Sequence, residues 1–69
     1  MSAWKNRVVE LLPNTSKVRE LIEERGKYFY VEKEPRIHPN LGMVVTLHDE
    51  DSYRFTTSVK NIRVPQPVD

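Results

Sequence analysis

Apolar and polar residues change their spacing several times along this chain of 69 residues, and each change marks the edge of an element. From Trp4 to Leu12, "WKNRVVELL", two periods overlap. Trp4, Val8, Leu11 and Leu12 fall at i, i+4, i+7 and i+8, a helical stripe, while "RVVELL" also reads as a short apolar strand ending at Pro13. The adjacent β-branched pair Val8 and Val9 suits a pleated surface and favours the strand. "PNTSKVRELIEERG" then keeps one period. Asn14, Thr15 or Ser16 supplies an N-cap, Val18, Leu21 and Ile22 recur at i, i+3 and i+4, and Gly26 stands where a left-handed C-cap belongs. Together these predict a helix over about residues 15–25, with Arg19 and Glu23 spaced for an ion pair on its outer side.

Alternation takes over at "GKYFYVEKEPRIHP". Successive strand residues face opposite ways, so Phe29 enters a core only if Tyr28 and Tyr30 both point away from it. Pro35 and Pro39 are expected to stop this strand and leave "PRIHPNLG" as an ordered loop whose Ile37 and Leu41 tuck under the sheet. "MVVTL" and "YRFTTSV" flank the turn-like "HDEDS" and predict an antiparallel hairpin with a loop of about five residues. With Phe55 inward, Tyr53 and Thr57 share its side and Arg54 and Thr56 share the other. "KNIRVP" makes a last short strand, and residues 65–69 read as a frayed tail. The expected core is Val18, Leu21, Ile22, Phe29, Val31, Val45, Leu47, Phe55 and Ile62. With no repeat, low-complexity tract or linker, residues 1–69 form a single α+β domain, an antiparallel barrel-like sheet with one short helix after its first strand.

Composition narrows the function more than the fold. A domain of this size buries only about 60% of the surface its unfolded chain exposes, which leaves no room for a deep active-site cavity. The absence of cysteine removes disulfides and thiolate metal sites and fits a reducing cytosol. No stretch approaches the roughly 20 apolar residues that span a bilayer, so a cytoplasmic protein without a membrane segment is expected. Eleven basic against ten acidic residues, a formal net charge of +1, argues against a dedicated nucleic-acid binder, though not against a local basic patch.

The run "RVVELLPNTSKVRELIEERG" followed by a strand, together with "YRFTTSVKNIRV", in which a strand passes through a tight turn into a closing strand, resembles very short phage- or mobile-element-encoded proteins with an SH3-like barrel. The resemblance implies that fold across most of the chain. The peptide-groove signature of signalling SH3 domains, such as "ALYDY", is missing, so recognition of proline-rich peptides is not implied. Nor is the glycine-bearing turn of the KOW modules clear enough to imply RNA binding.

Candidate chemistry is sparse. His48 lies beside Asp49, Glu50 and Asp51, but without the ligand spacing or turn glycine of a calcium loop, and a solvated hairpin turn is the expected role, with no bound metal. Ser52, Thr56, Thr57 and Ser58 lack a glycine-framed nucleophile elbow, and neither His38 nor His48 has a detectable partner, so no enzyme, cofactor or small-molecule substrate is expected. Binding remains. Tyr28 and Tyr30 on the face away from the helix, near Val44, Arg54 and Thr56, with Arg36 and Lys60 scattered about them, are the residue types that protein interfaces favour. The same tyrosines could instead seal one end of a barrel. As stacking platforms beside Lys27, Arg36, Arg54, Lys60 and Arg63 they would suit a single-stranded nucleic acid, against which Glu32, Glu34 and the acidic loop residues are threaded. A protein partner is the preferred expectation, with nucleic acid or a structural place in a larger assembly as alternatives.

Overall fold

A computed structural model describes residues 4–64, so the expected tail over 65–69 lies outside the described residues. The order is β1 (Val8–Leu11), α1 (Ser16–Arg25), β2 (Tyr28–His38), β3 (Gly42–His48), β4 (Arg54–Ser58), a single 3-10 turn (Val59–Asn61) and β5 (Ile62–Arg63). The strands form one antiparallel sheet in the order β4-β3-β2-β1-β5. That sheet is not closed: no pairing joins β4 to β5 among the described residues. The ambiguous first segment is a strand, fastened beside β2 by Asn6 N–H donating to the Val31 carbonyl and Val31 N–H donating to the Arg7 carbonyl.

The helix begins where Thr15 Oγ1 accepts the Val18 amide and ends at Gly26, whose N–H donates to the Ile22 carbonyl. Gly26 is not the left-handed cap expected of it. Its φ of 93° and ψ of 177° lie in a region that is essentially reserved for glycine. Two contacts lay α1 antiparallel to β4 across the inner face of the sheet. The Arg25 guanidinium lies 3.9 Å from the centre of the Tyr53 ring, just before β4 begins, and Asn14 donates to Asn61 and to the Lys60 carbonyl just after it ends. Arg19 and Glu23 are both exposed and do not close to ion-pair distance.

Pro35 does not stop β2. The register slips between Val31 and Lys33 and again between Lys33 and Arg36, and an irregularity is where a strand tolerates a residue with no N–H to give the ladder. The ladder therefore continues to His38, and the turn beyond it is closed by His38 Nδ1 accepting the amides of Asn40 and Leu41. Ile37 and Leu41, expected to tuck beneath the sheet, end up at a hairpin tip, 79% and 63% exposed.

Val9, Leu11, Val18, Phe29, Val31, Val45, Leu47 and Ile62 form the central cluster, with the Phe55 ring edge-on to Phe29 at 5.0 Å. Leu21, Ile22 and Phe55 are partly buried against it, so the helix contributes Val18 alone to the fully buried set. The expected core lacked Val9 and Leu11, because β1 had no unambiguous period to reveal its inner side. Val44 is also fully buried, outside that cluster.

Candidate functional site

Strand alternation with Phe29 and Val31 inward sends Tyr28 and Tyr30 to the outer face of the sheet, as the sequence requires. Register fixes their neighbours. Val8, Tyr30, His48 and Arg54 stand opposite one another across β1, β2, β3 and β4, and Arg63, Glu10 and Tyr28 make a parallel row across β5, β1 and β2. Tyr30 stacks on His48 with ring centres 5.5 Å apart, which fixes its ring, while Tyr28 stays 56% exposed.

Each carboxylate on this face is matched. Glu10 accepts from Arg63 at 2.6 Å and lies 3.5 Å from Lys27 Nζ; the Arg63 hydrogen bond, against the opposing effect of burial, holds its carboxyl below the usual range. The same bond raises the Arg63 guanidinium. Glu32 lies 3.8 Å from Arg54 and 2.8 Å from His48 Nδ1, off the direction in which that nitrogen would form a hydrogen bond. Lys27 also sits over the Tyr28 ring at 5.4 Å. Arg36 donates to Thr46 Oγ1 at 3.1 Å, and Thr46 in turn bonds to Thr56 at 3.0 Å.

Tyr28, Tyr30, Arg36 and Arg54 thus share one face. Lys60 does not join them, because it lies in the 3-10 turn, its amide held by Ser58 Oγ. Val44 shares the outer side by register but is fully buried and offers nothing to a partner. Val8, Glu10 and His48 also belong to the face, a place the sequence did not assign to them. A strand pairing read from alternation alone does not give the register that brings them beside the tyrosines.

Next to the tyrosines a cleft of about 330 Å³ opens between the end of α1 and the β3–β4 loop, lined by Val8, Tyr28, Tyr30, Asp49, Glu50 and Asp51 among others. Asp49 anchors its acidic wall, and Arg25 and Lys27 line the cleft beside it. Asp49 Oδ1 accepts the amides of Asp51 and Tyr53, both at 2.9 Å, and Oδ2 accepts from Arg25 at 2.8 Å.

Three of the four hydroxyls considered as nucleophiles have structural partners: Ser58 caps the 3-10 turn, Thr57 accepts from Asn61, and Thr56 bonds to Thr46. Among the described residues no three of His, Cys, Asp and Glu come together as a metal site, and no helix is long and apolar enough to cross a membrane. Compared with known proteins, the chain matches no family model, no curated protein and no solved structure.

Proposed function

We propose that this chain is a non-catalytic protein-binding module built on an SH3-like barrel, acting through the outer sheet face around Tyr28, Tyr30 and Arg54. The strand order and the 3-10 turn between the last two strands support the fold assignment, although the sheet itself is open, while kinship to small phage- or mobile-element-encoded accessory proteins rests on the resemblance of the sequence alone. The observation that carries the function is the charge around Tyr28. An exposed aromatic ring stands beside cations already engaged by Glu10 and Glu32, at the mouth of a cleft where Asp49, Glu50 and Asp51 face Arg25 and Lys27 and Arg25 is itself paired with Asp49. Such a surface offers phosphate no cation without a carboxylate beside it and suits a protein partner that presents apolar and basic side chains.

The test is affinity capture from the native cell lysate, with and without nuclease, alongside gel shifts with single- and double-stranded nucleic acid. One dominant nuclease-resistant partner is expected, lost when Tyr28, Tyr30 and Arg54 are changed to alanine in a variant that circular dichroism reports as folded. Binding to nucleic acid that falls steeply with salt, with no protein retained, would overturn the reading, since counterion release is the mark of phosphate contact. Silence in both assays would favour a structural subunit of a larger assembly.

A further inference from the structure

The two edges of the sheet are guarded differently. β5 is two residues long and the sequence places Pro65 two positions beyond it, a combination that leaves little edge to pair with. β4 runs for five residues, "RFTTS", without proline or an inward-pointing charge. The hairpin ladder identifies which of its backbone groups are left without a strand partner among the described residues. Asp49 N–H donates to the Tyr53 carbonyl, so hydrogen-bonded pairs recur every second residue at Leu47 with Phe55 and Val45 with Thr57. The amides and carbonyls of Arg54 and Thr56 therefore face away from β3, toward the open edge.

Along the inner side of that edge runs a groove of about 580 Å³ between β4 and α1. Phe55 and Leu21 line its middle. Leu41 also lines it, and Ile37 and Met43, cross-strand neighbours, are exposed near the tip of the same β2–β3 hairpin. Glu20 and Glu24, one helical turn apart on α1, line the groove wall with no ion-pair partner among the described residues, and Lys17 is the single cation among the lining residues, so the wall carries an excess of negative charge.

We propose that the open edge of β4 and this groove bind an extended peptide segment of another protein by strand addition. The segment's backbone would pair with Arg54 and Thr56, its apolar side chains would meet Phe55, Leu21 and Leu41, and a lysine or arginine would meet Glu20 and Glu24. Main-chain pairing supplies attachment in this mode, and side chains at alternate positions supply selectivity. This surface lies on the side of the sheet opposite Tyr28 and Tyr30 and does not rest on their role.

The probes are acetylated eight-residue peptides of alternating valine and threonine, with one valine replaced by lysine or by glutamate. Each is titrated into the full chain while amide shifts and hydrogen exchange are followed by NMR. The lysine peptide is expected to slow exchange at Arg54 and Thr56 and to bind about three- to tenfold more tightly than the glutamate peptide, the scale of two exposed ion pairs. The double variant Glu20→Lys/Glu24→Lys, altered only at exposed helix positions, should reverse that order, and N-methylation of alternate peptide amides should abolish binding. The Tyr28, Tyr30 and Arg54 triple alanine variant should keep the Thr56 response. Unmoved Arg54 and Thr56 amides at millimolar peptide, or equal binding of the two charged peptides, would overturn the proposal. So would protection that grows with protein concentration in the absence of peptide, because a second copy would then be the occupant.

Discussion

Gly26 shows how much one residue's backbone can settle. A side chain there would meet nothing within 4 Å, so crowding does not demand glycine; the torsions do. Replacing Gly26 by alanine is expected to cost about 1 to 3 kcal/mol, the usual penalty of a residue forced into a sparsely populated region, and to do so with no loss of contacts. Urea unfolding checks this through a lower midpoint at unchanged slope. A loss of a few tenths of a kcal/mol would mean that the helix end relaxes freely. The need for glycine at this position was legible in the sequence, but the conformation was not. A left-handed cap and the extended positive-φ geometry found here call for the same residue type, and only the path of the chain from α1 into β2 distinguishes them.

Elements in this protein are fastened to one another by a few charged contacts, and the one joining α1 to the β3–β4 loop is sensitive to acid. Burial pushes the Asp49 carboxyl up, but the Tyr53 amide, the Arg25 guanidinium and the Asp51 amide more than offset it, and the carboxyl titrates below its usual range. The same pairing raises Arg25. A carboxyl depressed in the folded state adds stability that is fully present above the unfolded value of about 3.9 and disappears as pH falls through the folded one. Asp49→Asn keeps an oxygen for the two amides and removes the charge. Its deficit relative to the unaltered protein should therefore be greatest near neutrality and shrink as pH falls below about 4. Urea midpoints measured from pH 7 down to pH 2 would show it, and a deficit constant across that range would assign the loss to geometry instead of charge. The acidic loop was legible as a turn from its composition. Its role as the anchor of the helix was not, because Arg25 and Asp49 are 24 residues apart and nothing local pairs them.

For the molecule as a whole, stability rests on the sheet more than on the helix. α1 looks like the strongest element in the sequence, with caps at both ends and a clean apolar stripe, yet only Val18 is fully buried on it, while β1, β2 and β3 supply Val9, Leu11, Phe29, Val31, Val45 and Leu47. The reason is geometric. A helix laid over one side of a small sheet leaves a groove along β4, and Leu21 lines that groove while packing only partly against the core. Periodicity could place Leu21 on the inward stripe but could not say how closely the sheet would cover it. Leu21→Ala is accordingly expected to cost about 1 to 1.5 kcal/mol, half of roughly 0.8 kcal/mol for each of three buried carbons. Leu11→Ala, at a fully buried position, should cost about 2 to 5 kcal/mol through lost transfer energy and the cavity left behind. Small domains have only about 5 to 15 kcal/mol in total, so the second change should leave much of the chain unfolded at modest denaturant while the first leaves it folded. Chemical denaturation of the two variants side by side decides the matter: equal losses would mean that α1 closes onto β4 in solution and that the groove between them is not open to a partner.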